Sequence, residues 1–152
     1  MLLTIERVAR LKAVDIFAGT PSYILASIAR ICEEVDCPKG MTFIHEGDPG
    51  DCMYVVLDGE VRVHCGEQVI GVHGPGKTVG ELAVLDPRPR VASVTAITDT
   101  FLLRIAKEPF DEVMADRPEI AAGLIRVLVQ RLREQTLLFA GNSPTSSGAP
   151  SS

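Results

Sequence analysis

Between Met41 and Ile105 the chain consists of short segments rich in valine, isoleucine, tyrosine and threonine, separated by turn sequences. A turn such as Asp58-Gly59 can reverse the chain tightly, because glycine adopts backbone angles that other residues resist. Regular alternation of such segments and turns predicts a small antiparallel all-β unit, either a barrel or a jelly roll. The predicted strands cover residues 41–45, 53–57, 61–65, 68–73, 91–97 and 101–105.

Helical patterns flank this β-unit on both sides. Residues 4–14 and 21–35 carry apolar side chains at helical spacing, and the second segment starts at Thr20-Pro21. Residues 108–115 predict a short helix, and a longer helix begins at Pro118 and runs to about residue 139. The sequence therefore predicts a mainly β fold with flanking α-helices.

The chain has the size of one domain, since its 152 residues are 46% hydrophobic and suffice for one core. We place the domain at residues 1–140, with helices at about 4–35, the β-unit at about 41–106 and C-terminal helices at about 108–139. Residues 141–152 are rich in serine, proline and glycine and have no apolar anchor. We predict that this tail is disordered, because it cannot offset the entropy of ordering.

Charge and hydropathy exclude several classes of protein. A net charge of -5 argues against general nucleic-acid binding, which needs clustered Lys and Arg. No apolar run approaches the roughly 20 residues that span a bilayer. The first residues are charged where a signal peptide would be apolar, so we expect a cytoplasmic protein.

The cysteines are expected to be reduced structural thiols, because no CxxC pair occurs. A zinc site built from Cys65 with His64 or His73 would lack the usual ligand spacing. We therefore expect no metal and no cofactor. The four cysteines are Cys32, Cys37, Cys52 and Cys65.

The segment from Gly80 to Ala92 carries the most informative chemistry. Gly80 and Glu81 precede an apolar run that can form one helical turn, whose free N–H groups attract a phosphate. Arg90 can add a bidentate donor to phosphate oxygens. Glu81 would repel a phosphate unless it accepted hydrogen bonds from nearby hydroxyls, which a ribose offers. The combination favours a sugar phosphate, although Glu81 and Arg90 could instead form a structural ion pair.

These residues resemble a known family. The chain is similar to the cyclic-nucleotide-binding domain of catabolite activator proteins, of regulatory subunits of the cyclic-AMP-dependent kinase and of cyclic-nucleotide-gated channels. The resemblance covers about residues 14–132. Its motifs, in order, are Ile44-His45-Glu46-Gly47-Asp48, Met53-Tyr54-Val55-Val56 with Gly59 and Val61, Gly80-Glu81-Leu82-Ala83, and Arg90-Val91-Ala92.

The resemblance implies a β-roll (jelly roll) with N-terminal helices and a C-terminal hinge and lid helix. It implies that Glu81 binds the ribose 2′-hydroxyl, that Arg90 binds the exocyclic phosphate oxygens, and that backbone N–H groups near Leu82, Ala83 and Ala92 bind the remaining oxygens. Further implied ligand-binding residues are Gly80 and Val91, and the candidates for an apolar wall under sugar and base are Val63, Ile70 and Leu82.

Some positions depart from the family pattern. Val79 replaces the usual aromatic residue before the glycine, and Lys77 replaces a common acid. Arg88 offers a second guanidinium and hence an alternative register. Guanine-selective members tend to have a hydroxyl where this chain has Val91, which favours cyclic AMP over cyclic GMP.

Two other functions fit a jelly roll. One is a cupin-type metalloenzyme, but the three scattered histidines form no His-x-His pattern. The other is a ligand-free domain used for dimerisation or docking, for which an intact Glu81 and Arg90 would be unnecessary. No nucleophilic Ser/His/Asp or Cys/His pairing is suggested either, so we expect no enzymatic activity.

The expected output is movement of the long C-terminal helix. We interpret the chain as a sensor without its own DNA-binding domain, attached to or acting on a separate effector. Ligand binding would move the hinge between the helices at 108–115 and 118–139, so that the second helix caps the base. The surplus apolar face of that helix predicts a homodimer. Candidate lid residues are Leu132, Arg133 and residues 135–139.

Overall fold

A computed structural model describes residues 1–141. The predicted disordered tail lies outside these residues except for Gly141, which ends a helix. The helices are α1 (Thr4–Lys12), α2 (Ser22–Ile31), α3 (Glu81–Leu85), α4 (Lys107–Asp116) and α5 (Pro118–Gly141), with a 3₁₀ turn at Asp15–Phe17. The strands are β1 (Glu33–Cys37), β2 (Thr42–Ile44), β3 (Cys52–Asp58), β4 (Val61–Cys65), β5 (Gln68–His73), β6 (Thr78–Val79), β7 (Ser93–Ala96) and β8 (Thr100–Ala106).

Within this part of the chain, the strands form two four-stranded antiparallel sheets, in the orders β1-β8-β3-β6 and β2-β7-β4-β5. This arrangement confirms the predicted jelly roll with helices at both ends. The six predicted strands are present, two with the predicted bounds and four with ends shifted by one or two residues. Their alternating side chains explain the layering, because Val56 of β3 packs between the sheets while Met53 and Val55 face the helices.

The helices close one side of the first sheet through a single apolar cluster. Phe17 of the 3₁₀ turn is fully buried, and its ring centroid lies 6.4 Å from that of Phe110 in α4. Ile120 and Leu124 of α5 belong to the same cluster. The 3₁₀ turn and α5 are thereby packed onto one sheet although they lie at opposite ends of the chain.

The predicted helix over 21–35 was wrong beyond Ile31, because residues 33–37 form strand β1 along β8. Arg7 of α1 donates to the carbonyl oxygens of Ala29 and Cys32 at 2.9 Å each, which satisfies groups that a longer helix would use internally. Glu33 pairs with Arg104 of β8, with 2.6 Å between Oε1 and Nη1. The β-unit therefore begins at residue 33, before the predicted boundary at 41.

Candidate functional site

Glu81 stands at the junction between β6 and α3. Gly80 has a φ of 76°, a left-handed conformation that favours glycine and turns the chain from strand to helix. The Thr78 hydroxyl donates to Glu81 Oε2 at 2.7 Å, and Arg131 Nη1 of α5 donates to the same oxygen at 3.0 Å. The other carboxylate oxygen, Oε1, has no hydrogen-bond partner among the described residues, so it is available to a ligand hydroxyl.

The backbone of Arg90 is held by the loop that follows β2. The Gly47 N–H donates to the Arg90 carbonyl oxygen, and the Arg90 N–H donates to the Asp48 carbonyl oxygen, both at 2.8 Å. The side chain reaches back to β3, where Nη2 donates to the carbonyl oxygen of Cys52 at 2.8 Å. The Gly47-Asp48 motif therefore contributes to the site indirectly, because it fixes the backbone that carries the Arg90 guanidinium.

Glu81 and Arg90 form no ion pair with each other in residues 1–141, because Glu81 binds Arg131 and Arg90 binds a backbone carbonyl. The structural ion pair considered from sequence is therefore absent from the described chain. Each charged group keeps polar atoms that a ligand can use. Arg88 instead pairs with Asp86 on the exposed surface, with Nε 2.9 Å from Oδ2.

Both residues line one cavity of about 820 Å³, which we call the Glu81 cavity. The predicted site residues that line it are Gly80, Glu81, Ala83, Arg90, Val91, Ala92 and Val63. Ile70 does not belong to this lining; its side chain is 61% exposed on β5. For Leu82 the structure describes only the backbone, which lies within α3. The Ala83 N–H, predicted to bind a ligand oxygen, donates to the Gly80 carbonyl oxygen at 3.1 Å.

The charge around the Glu81 cavity differs in sign from that of the whole chain. Its described lining includes four cationic side chains, Lys77, Arg88, Arg90 and Arg131, against three acidic ones, Asp15, Glu81 and Asp86. A chain with a net charge of -5 thus has a locally cationic cavity that can attract a small anion.

The long helix reaches the cavity one turn earlier than the sequence predicted. Leu128 and Arg131 line it, whereas the predicted lid residue Leu132 is 63% exposed and points elsewhere. The other candidates at Arg133 and at 135–138 are also exposed, and none of them lines the cavity. The side chain of Phe139 is not among those that the structure describes. The sequence signal for this residue is its spacing, because Arg131 continues the helical face on which Leu124 and Leu128 lie.

Arg131 has a second anion partner that the sequence analysis also missed. Its Nη2 lies 2.9 Å and 2.8 Å from the two carboxylate oxygens of Asp15 in the 3₁₀ turn. Partial burial by itself would lower the pKa of Arg131, but hydrogen bonds to Asp15 and Glu81 outweigh burial and raise that pKa above its usual value. The two carboxylates therefore favour the cationic form of Arg131.

Neither a metal-binding cluster nor a membrane-spanning helix is found among the described residues. No group of three or more His, Cys, Asp or Glu side chains in residues 1–141 is placed to hold a metal ion. None of the helices in the same part of the chain combines the length and apolar character needed to cross a membrane.

Comparison with known proteins identifies relatives of this chain. The chain is 36% identical over 123 residues to the CRP-like cAMP-activated global transcriptional regulator of Mycobacterium tuberculosis, covering 78% of this chain and 55% of that one. The chain thus spans about half the length of that relative.

Two solved structures are similar to most of this chain. One is the N-terminal domain of a transcriptional regulator from Streptomyces coelicolor A3(2), with 34% identity, a TM-score of 0.75 and coverage of 91% of this chain and 98% of that one. The other is the Thermus thermophilus catabolite activator protein, with 30% identity, a TM-score of 0.73 and coverage of 83% and 62%.

The family model for the cyclic nucleotide-binding domain matches residues 34–117. This range begins within β1 and contains β2 to β8, Glu81, Arg90 and α4. With more than half of the chain matched, and with the jelly roll and its cavity described above, the chain belongs to the cyclic nucleotide-binding domain family.

Proposed function

We propose that this chain is a regulatory sensor whose Glu81 cavity binds cyclic AMP in preference to cyclic GMP. The observation that carries the proposal is that Glu81 and Arg90 line one cavity without neutralising each other. Oε1 of Glu81 would accept the ribose 2′-hydroxyl, and the Arg90 guanidinium would turn from the Cys52 carbonyl to the cyclic phosphate. Charge-assisted hydrogen bonds of this kind supply both affinity and orientation.

The preference for adenine rests on two observations. Val91, at the edge of the cavity, offers no hydroxyl to a guanine base. The Mycobacterium tuberculosis relative is named as activated by cyclic AMP. Val63, Ile44 and Val94 supply an apolar part of the lining, against which a sugar and base can pack.

Coupling to an output would run through α5. The chain breaks between α4 and α5 at Arg117, whose φ of -132° and ψ of 78° are not helical, so this residue is a natural hinge. Because Leu128 and Arg131 line the cavity, a ligand there contacts α5 directly. The resulting shift of α5 is limited by the difference in ligand affinity between its two positions.

We also propose that the activity of this chain is binding, without catalysis, and that its output partner is a protein. Its net charge of -5 makes the chain itself a poor ligand for DNA. A second copy is the proposed partner of α5, where Ile125, Val129 and Leu132 are exposed at i, i+4 and i+7. Such a stripe can pair with the same stripe of a second copy about a two-fold axis. An attached or separate effector domain would respond to the position of α5.

Calorimetric titration of the chain with cyclic AMP and cyclic GMP tests the proposal. Removing one partner of a charge-assisted contact costs about 2–5 kcal/mol, so R90A and E81A should each weaken cyclic AMP binding roughly 30-fold or more. The matched variant R88A removes a guanidinium from the same loop that is exposed and paired with Asp86, so it should have a much smaller effect.

Three results would contradict the proposal. Undiminished binding by R90A, with a loss in R88A, would move the phosphate contact to the alternative register. Absence of heat with either nucleotide would favour the ligand-free docking domain. Stoichiometric iron or zinc in the purified protein would favour a metalloenzyme.

A further inference from the structure

Arg131 connects three segments that are far apart in sequence. Its Nη2 binds both carboxylate oxygens of Asp15, at 2.8 Å and 2.9 Å, and its Nη1 binds Glu81 at 3.0 Å. Asp15 belongs to the 3₁₀ turn near the N-terminus, Glu81 opens α3, and Arg131 lies in the second half of α5. One guanidinium therefore ties the N-terminal segment and the long helix to the ligand-binding carboxylate.

Asp15 can direct Arg131 because its own backbone is immobilised. Its neighbours Ile16 and Phe17 are 3% and 0% exposed and pack in the cluster that also contains Leu124 of α5. Asp15 itself remains at the surface, with its carboxylate toward α5 and the cavity. The packed turn thus presents a fixed anion to a long side chain that would otherwise sample many rotamers.

The fixed guanidinium in turn orients Glu81. Both hydrogen bonds that Glu81 receives in the described chain, from Thr78 and from Arg131, end on Oε2, so Oε1 is left without a partner there. A guanidinium has a planar set of donors, so holding Nη2 on Asp15 also fixes the direction in which Nη1 points. Without Asp15, a single partly exposed ion pair between Arg131 and Glu81 would remain, with side-chain exposures of 35% and 20%.

We propose that Asp15 is a positioning residue of the nucleotide site, which holds Arg131 on Glu81 and so keeps α5 seated over the cavity before the ligand arrives. This inference rests on the proposed function. It makes the N-terminal helical segment part of the sensor, because a displacement of the 3₁₀ turn changes the order of α5 and the affinity of the cavity together.

The first test needs no ligand. Amide hydrogen exchange of α5 around Arg131 should be faster in the full chain carrying D15N than in the wild type, and D15E should restore much of the protection. The matched control D116N removes an exposed carboxylate at the end of α4. It should leave the exchange of this part of α5 unchanged.

The second test is a double-mutant cycle read by calorimetry with cyclic AMP. D15N should raise Kd roughly two- to fivefold, the range expected for one partly exposed ion pair. In an R131M background D15N should have no further effect on Kd, because Asp15 acts through Arg131. Equal Tm values for the wild type and D15N would establish that the change in Kd is not caused by unfolding.

The two tests separate this inference from the proposed function. Unchanged hydrogen exchange in D15N, or the same change in Kd in both backgrounds, would overturn the positioning role even if the wild type binds cyclic AMP. A wild type that gives no heat with cyclic nucleotides would overturn the proposed function and with it the role of Asp15 in affinity, while faster exchange in D15N would still support the contact that seats α5.

Discussion

Arg90 lies directly against Gly80. A Cβ atom on Gly80 would stand 2.5 Å from Arg90 Nη1 and 3.3 Å from the carbonyl oxygen of Cys52. The φ of 76° favours glycine at this position, and a side chain there would also push the flexible end of Arg90 out of the place that it occupies in this structure. This contact connects the turn before α3 to the group proposed to bind phosphate.

We expect G80A to displace Arg90 and to weaken cyclic AMP binding roughly tenfold or more, toward the loss expected for R90A. Calorimetry measures this effect. The control G40A introduces comparable backbone strain, of about 1–2 kcal/mol, since Gly40 has a φ of 88° and nothing within 4 Å of an added Cβ. Wild-type affinity in G80A, or an equal loss in G40A, would contradict the assigned contact.

Val91 provides a test of base selectivity. Its side chain is 86% exposed at the edge of the Glu81 cavity, so a substitution there should leave the fold intact. V91T adds a hydroxyl, and one new hydrogen bond contributes about 0.5–1.5 kcal/mol. We therefore expect the ratio of cyclic GMP affinity to cyclic AMP affinity to rise roughly two- to tenfold in V91T. The control V91A should not change this ratio in favour of cyclic GMP, and an unchanged ratio in V91T would argue against the role of Val91.

The exposed stripe on α5 predicts self-association. L132E places a carboxylate in the proposed dimer contact, and burial of an unpaired charge should weaken the dimer about a hundredfold or more. Sedimentation velocity over a range of concentrations measures the change. Q130E adds the same charge on the opposite side of the helix and should leave the dimer intact. A wild type that stays monomeric at high concentration would contradict the prediction.

Cys32 provides a prediction about pH. Burial raises its pKa from 9.0 to about 12, an effect that the nearby Arg7 only partly offsets. The thiol therefore stays protonated in the folded chain at pH 8–9, and Cys32 should resist iodoacetamide, whereas the partly exposed Cys65 should react. Mass spectrometry of the alkylated protein, with and without denaturant, checks this order.

The same shift has a defined sign for stability. Between about pH 9 and pH 12 the folded state holds the Cys32 proton more tightly than the unfolded state, so the contribution is present below pH 9 and is lost as pH rises toward 12. The free energy of unfolding should fall across this range by less in C32A than in the wild type. Equal pH dependence in the two proteins, or rapid alkylation of native Cys32, would contradict the prediction.

Local patterns were sufficient to predict much of the fold and to select the two charged residues that we propose bind the ligand. The strands at 61–65 and 68–73 are present with the predicted bounds, because alternating side chains and glycine turns act over a few residues. Glu81 and Arg90 could be selected because their spacing around Gly80 forms a local motif, and the structure brings both to one cavity.

Contacts between distant segments account for what the local patterns missed. Apolar residues at helical spacing extend to Val35, yet pairing with β8 and the capping of α2 by Arg7 convert residues 33–37 into a strand. β6 has two residues, which is too short for any alternation to show. Ile70 has the composition of a wall residue, but its position on β5 leaves it exposed.

The sequence by itself predicted a small antiparallel β-unit with flanking helices and a site for a sugar phosphate, since these depend on short-range periodicity and on residue types within one loop. The resemblance to a known family narrowed the β-unit to a jelly roll and the expected ligand to a cyclic nucleotide. Tertiary structure decided which residue of α5 meets the cavity and which group holds it there. Arg131 and Asp15 are separated by 116 residues, and their contact exists because the 3₁₀ turn and α5 pack into the same apolar cluster. No local pattern carries that information, because the side chains that bring the two together belong to different ends of the chain.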